Sequence, residues 1–229
     1  MAVFAYIATF FTFAALALEV FTLLGNTYNV VLLRDLYFAR LTLSDRFIQF
    51  GLWNYCIGKD GAVTHCSTPK PAFVWTEAEG LDRLIQGLEG MDKVFLTNFI
   101  LYWVVFGLTL LALAITITTH FRRTSDLLAS FAMFIAFLVM LVVLIIVLVI
   151  SIRGINSAKG SDRSASGFPG PAMWMTVGAM GGLLISSFWY CVTCCFGPRR
   201  KVADGDEKPS PARGCLPLLL PFLLWRGTR

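Results

Sequence analysis

Four long apolar runs dominate the chain: residues 3–24, 95–119, 127–151 and 172–195. Each exceeds the roughly 20 residues that cross a hydrocarbon core of about 30 Å as a helix. Within lipid, a backbone polar group has no water to turn to, so a spanning segment satisfies its own N–H and C=O groups as an α-helix. The fold class expected is therefore an all-α membrane protein built as a four-helix transmembrane bundle. Composition agrees, since 57% hydrophobic and 14% charged residues leave too little polar surface for a soluble domain of this length. Ala15-Leu16-Ala17 in the first run has the look of a signal cleavage site. No basic residue precedes the run, however, and it is long for a signal h-region, so it is read as a retained span.

Charge sets the expected orientation. The link between the second and third runs, His120 to Asp126, carries Arg122-Arg123, and Arg199, Arg200 and Lys201 follow the fourth run. Basic residues in short connections mark the cytoplasmic side, which places both termini in the cytoplasm and residues 25–94 and 152–171 outside. Arg153, Lys159 and Arg163 in the second outer connection run against this rule. The double-arginine link, the basic tail and the cysteines outweigh them. Cys56 and Cys66 lie in the large loop; Cys191, Cys194 and Cys195 end the last run, with Cys215 beyond. This division suits two redox environments across one membrane. The net charge of +5 suits an anionic leaflet, and no interleaved basic and aromatic surface points to nucleic acid.

The loop 25–94 alternates charges, as in Arg34, Asp35, Arg40, Asp45 and Arg46, and has β-like stretches near 29–41, 47–57 and 62–66. Phe47, Ile48, Phe50, Leu52, Trp53 and Tyr55 crowd one β-favouring segment, and Gly58, Asp60 and Gly61 supply turn chemistry before Ala62-Val63-Thr64-His65-Cys66. Such a hairpin brings Cys56 beside Cys66, where a disulfide contributes roughly 2–3 kcal/mol. The bond needs an oxidising compartment. A small antiparallel sheet is expected, because two strands alone are marginal. After Pro69 and Pro71, the spacing of Leu84, Ile85, Leu88, Met91 and Phe95 predicts an amphipathic helix leading into the second span. Gly160-Ser161, Ser164-Ala165-Ser166-Gly167 and Pro169-Gly170-Pro171 mark the second outer connection as flexible.

Gly51-Leu52-Trp53-Asn54-Tyr55-Cys56 with Cys66 resembles the first extracellular loop of claudin-type four-span proteins. The run from Phe50, together with Asn26-Thr27-Tyr28-Asn29 and Leu33 to Arg40, is more similar to the fungal claudin-related family that includes the PalI pH-response regulator and the eisosome-associated membrane proteins. The likeness covers roughly residues 1–200. The loop lacks the additional early tryptophan of animal claudins, so tight-junction strand formation is not implied. What the resemblance implies is a claudin-like unit over 1–196, with a disulfide-linked extracellular sheet, and a cytoplasmic tail over 197–229. It further implies a non-enzymatic plasma-membrane organising protein of cortical domains, near eisosomes and the cell wall. Its partners would be membrane lipids and other cortical membrane proteins, self-association among them. The alternative is a PalI-like component of ambient-pH signalling, against which the short tail counts; a channel or transporter subunit is weaker still.

Other positions are read from physics alone. Glu19 is a carboxyl inside the first span; it is either a pairing or gating site within the bundle or, the expectation favoured, a group near the outer end that reaches water or a Ser/Thr hydroxyl. Gly178, Gly182 and Ser186 form a small face at one-turn spacing, expected to serve packing inside the bundle rather than lateral association. Cys191, Cys194 and Cys195 stand beyond the aromatic group Phe188-Trp189-Tyr190 and ahead of the basic residues, the setting of acylation sites. They lack the second ligand pair of a zinc site. The third run is free of charge and is expected to supply lipid contact and packing. No catalytic motif, phosphate loop or metal-ligand set is present, so neither cofactor nor small-molecule substrate is expected. His65 and His120 fall on opposite faces, and His65 is expected to be a solvated loop residue. The apolar end 215–225 is broken by Pro217 and Pro221 and is too short to span; contact with the membrane surface is one use for it.

Overall fold

A computed structural model describes residues 2–27, 31–43, 46–78, 90–122, 126–161 and 165–196. Its long helices are α1 (Ala2–Leu24), α3 (Asp92–Arg122), α4 (Asp126–Ser161) and α5 (Pro171–Phe196); α2 is a single turn, Val31–Arg34. The four long helices each contain an apolar window able to cross a membrane, within Tyr6–Leu24, Asp92–Thr118, Ala129–Ser161 and Pro171–Val192. The protein is a multi-pass membrane protein with four spans. The expected amphipathic helix upstream of Met91, the Arg122-Arg123 link, the tail 197–229 and the side chains of Cys194 and Cys195 lie outside the described residues or side chains.

The helices form a ring in which α1 packs on α5 and α3, and α4 packs on α5 and α3. The third run shows no polar periodicity, yet one stripe of α4 is buried: Ala129, Met133, Ala136, Met140, Val143, Val147 and Ile150. The alternating four- and three-residue steps are those of a helix seam in left-handed packing. Phe131, Leu138, Val142, Ile145 and Leu148 point outward to lipid. Between α1 and α5 the small face closes the seam. A Cβ on Gly182 would meet Ala15 Cβ and the Phe11 carbonyl at 3.3 Å, and one on Gly178 would meet Leu18 Cδ1 at 3.2 Å. One turn on, the Ser186 and Thr12 hydroxyls lie 2.7 Å apart. This face is used within the chain.

A five-stranded antiparallel sheet caps one end of the bundle, in the order β4-β3-β2-β1-β5. The strands are β1 (Ala39–Thr42), β2 (Phe47–Phe50), β3 (Tyr55–Lys59), β4 (Ala62–Cys66) and β5 (Ser166–Pro169). Its floor is aromatic. Phe50 stacks on Trp75 with centroids 4.7 Å apart, Trp75 meets Phe95 of α3 at 5.8 Å, and Tyr55 stacks on Phe73 at 5.5 Å.

Several expectations are corrected. The stretch 29–41 contains the helical turn α2, and strand begins only at Ala39. The segment 47–57 is two strands with Gly51-Leu52-Trp53-Asn54 as the bend between them. Gly58 lies within β3, not in the turn, because the Phe47 ring covers it and a Cβ there would collide with that ring. The second outer connection is structured on both sides of residues 162–164. Helix α4 runs ten residues past the expected end at 151, to Ser161, burying Ala158 and setting Ile155 against Gly167. Beyond it, Ser166–Pro169 pairs with β1, from Thr42↔Ser166 to Ala39↔Pro169. Gly160-Ser161 marked this stretch as part of a flexible connection, but packing against β5 keeps the helix going.

Replacing Gly182 by Leu forces α1 off α5. The overpacking should cost about 1–3 kcal/mol and lower the thermal midpoint of the purified protein in detergent. An unchanged midpoint, with only self-association altered, would contradict the internal role.

Candidate functional site: the junction of sheet and bundle

The sheet is seated by a few residues around the β2–β3 bend and the β3–β4 turn. Asp60 and Gly61 have φ of 51° and 83°, the doubly left-handed pair of a type I′ turn, which sets Lys59 opposite Ala62. A bulge between Ile57 and Gly58 then brings Cys56 opposite Cys66, and the two form a disulfide with an S–S distance of 2.01 Å. Cys56 is fully buried.

At the other end of β3, the bend is closed by the Gly51 N–H donating to the Asn54 carbonyl at 2.9 Å. This turns the Trp53 indole toward the bundle, where its Nε1–H donates to the Leu23 carbonyl at 2.6 Å. Leu23 lies in the last turn of α1, whose carbonyls have no intrahelical donor. The same ring packs edge-on against Phe99 of α3, with centroids 4.9 Å apart. One side chain thus joins β-sheet, α1 and α3.

Asn26 follows α1 with φ of 61°, a left-handed position that Asn tolerates. It is buried, its N–H donates to the Leu33 carbonyl at 2.7 Å, and its Oδ1 lies 3.1 Å from Cys56 Sγ. A disulfide sulfur has no proton, so this is a packing contact. A Cβ on Gly51 would come within 2.8 Å of Asn26 Cβ, so the bend reaches this depth only with glycine there. Asn26, Gln49 and Asn54 are three buried amides near the disulfide. On the sheet, Arg40 places its guanidinium 3.7 Å from the Phe47 ring centroid, a cation–π contact.

Below the junction Glu19 is buried, 1% exposed, rather than near water. Its Oε1 accepts from the Thr109 hydroxyl at 3.0 Å, while Oε2 has no partner among the described residues. The hydroxyl half of the expectation stands; the water half does not, because α3 covers the position. Other buried hydroxyls link the helices: Tyr102 with Thr176 at 2.7 Å, and Thr9 with Tyr190 at 3.2 Å. Cys191 is a half-buried free thiol. His65 is exposed on β4. Among the described residues no cluster of His, Cys, Asp or Glu is arranged to hold a metal.

In the sequence, Asn26 and Arg40 stand out only as members of longer runs, and Thr109 not at all. Asn26 in a run of polar residues after a span had a legible signal, since Asn is a common left-handed helix terminator. The Arg40 and Thr109 partnerships are long-range and had none.

The chain is thus a four-span membrane protein whose disulfide-linked five-stranded sheet is tied to its helix ends. Comparison with known families makes this specific: the model described as the SUR7/PalI family matches residues 4–188, and the chain belongs to that family. No curated protein matches it.

Trp53→Phe keeps the ring contact with Phe99 but leaves the Leu23 carbonyl without its donor. A loss of about 1 kcal/mol should lower the unfolding midpoint by about 2–4 °C. Cys56→Ser with Cys66→Ser should cost about 2–3 kcal/mol, and alkylation of the unreduced parent should find both thiols blocked. Glu19→Gln puts a neutral amide against Thr109 and should hold thermal stability at or above the parent's. Glu19→Lys brings a cation to a site with only a hydroxyl for company, and folded protein should not accumulate in membranes.

Proposed function

We propose that the chain is a non-enzymatic organiser of plasma-membrane domains at the cell cortex, of the eisosome-associated kind within its family. The observation that carries the reading is where the chemistry lies. Thr12 bonds with Ser186 and Glu19 with Thr109 across helix seams, away from the lateral surface. The broad exposed surface is lateral and apolar, as at Phe10, Phe13, Leu111 and Phe188. A protein built this way acts by what it packs beside, namely lipids and other cortical membrane proteins. We place both termini in the cytoplasm and the sheet outside, a reading supported by the Cys56–Cys66 disulfide, which needs an oxidising compartment.

A fluorescent fusion of the full chain tests this. Static cortical patches are expected. A uniform rim, with deletion blocking growth only at alkaline pH, would assign the PalI-type role instead, and ion flux after reconstitution would assign a channel. Acylation of Cys191, Cys194 and Cys195 would change which lipids surround α5, since each buried methylene contributes about 0.8 kcal/mol. Changing all three to Ser should leave membrane insertion intact and disperse the patches. Patches of parental stability, or parental protein without hydroxylamine-sensitive acyl label, would overturn this part.

A further inference from the structure

The disulfide form leaves the Asn26 amide unused. Its side chain is buried, 2% exposed. Among the described residues its Nδ2 has no hydrogen-bond partner, and its Oδ1 faces Cys56 Sγ at 3.1 Å. A disulfide sulfur has no proton to give, so neither end of this amide is satisfied. Burying an amide without hydrogen bonds is costly. Gln49, the register partner of Cys56 on β2, is buried too, and its Oε1 also lacks a donor among the described residues.

Reduction supplies a donor. A Cys56 thiol carries an S–H, and Asn26 Oδ1 already stands at the distance of an S–H···O bond. The backbone holds it there: Asn26 has φ of 61°, its N–H donates to the Leu33 carbonyl at 2.7 Å, and Gly51 leaves room for its Cβ. A bond available to only one state favours that state, and here it favours the dithiol.

The two sulfurs also differ in access. Cys56 is fully buried, whereas Cys66 is half-buried on the edge strand β4, directly after the exposed Thr64 and His65. When the bond opens, β4 stays tied at both ends. The Asp60-Gly61 turn holds one. At the other, the Ser67 N–H donates to the Tyr55 carbonyl at 2.9 Å, and the Ser67 Oγ accepts from the Tyr55 N–H at 3.2 Å. The Trp53 bond to Leu23 involves neither sulfur.

We propose that Cys56–Cys66 is a redox-sensitive switch at the junction, opened at Cys66 by small-molecule thiols and favoured in its open form by Asn26. A thiolate attacks Cys66 Sγ, a mixed disulfide forms there, and the electron pair of the broken bond leaves on Cys56 Sγ, which takes up a proton. A second thiol then releases Cys66, so that two thiols are oxidised to one disulfide as the protein gains two thiols. In opening, β3 exchanges its covalent tie to β4 for a hydrogen bond to the end of α1, with the sheet still seated. The inference rests on the disulfide and its surroundings and holds for either role within the family.

The test uses the full chain purified in detergent and equilibrated in glutathione buffers of graded ratio, followed by alkylation and mass spectrometry of the peptides carrying Cys56 and Cys66. Asn26→Gly keeps the left-handed backbone and removes the amide. Its half-reduction point should move about threefold to tenfold toward more reducing buffer, the effect of one lost hydrogen bond. Glutathione trapped on the opened parent should sit on Cys66 and not on Cys56. In the fully reduced parent, iodoacetamide should modify Cys66 many times faster than Cys56, while helical circular dichroism stays at its oxidised value. This last arm needs no variant and decides the matter if Asn26→Gly does not fold. An unchanged half-point in folded Asn26→Gly, glutathione on Cys56, or equal alkylation of the two reduced thiols would overturn the proposal, the last by showing that reduction unseats the sheet.

Discussion

The sheet of this protein has no hydrophobic core of its own. Phe50 and Tyr55 rest on Trp75 and Phe73, and Trp75 meets Phe95 at the start of α3. A small sheet standing alone in water is marginal, so everything about its placement depends on how firmly it is seated. The Trp53 indole supplies the direct tie, because it satisfies a helix-end carbonyl and fills the angle between α1 and α3 with one ring. The disulfide and the type I′ turn then fix the register of β3 and β4. Register, seat and helix termination are thus one problem with one solution, and Gly51, Asn26 and Trp53 are the residues that solve it.

Inside the bundle, a second constraint operates. Lipid is as apolar as leucine, so the hydrophobic effect does little to hold the helices together. Small residues let α1 and α5 approach, and hydroxyls bond across the seams: Thr12 with Ser186, Tyr102 with Thr176, Thr109 with Glu19. Glu19 belongs to this set. It is a buried polar group held by a neighbouring helix, and its carboxyl type matters less for the fold than its having a partner.

Much of this was legible in the sequence, for identifiable reasons. Span number follows from run length alone, because lipid leaves the backbone no alternative to the helix. The Cys56–Cys66 pairing follows from turn chemistry between β-prone segments. The small face of α5 was visible at Gly178, Gly182 and Ser186. The errors arose where tertiary packing overrides local signals. Residues 152–161 lead into Gly160-Ser161 and the Ser/Gly/Pro-rich stretch after it and looked like part of a loop, but contact with β5 extends the helix through them. Ser166–Pro169 is rich in turn formers and became a strand because β1 offered an edge. Gly58 looked like a turn glycine and is instead a space for the Phe47 ring.

The pairing of β5 with β1 has a consequence for biogenesis. Four strands come from residues 39–66, and the fifth arrives only after two further spans have been made. Until then β1 presents an open edge, the kind of surface that attracts chaperones or stray strands. Closure of that edge requires α4 and α5 to stand in their proper places, because β5 is strung between them. The sheet therefore acts as an assembly check: it is complete only in molecules whose last two helices have been inserted with the right handedness, and an incomplete one exposes the very edge by which quality control can recognise it.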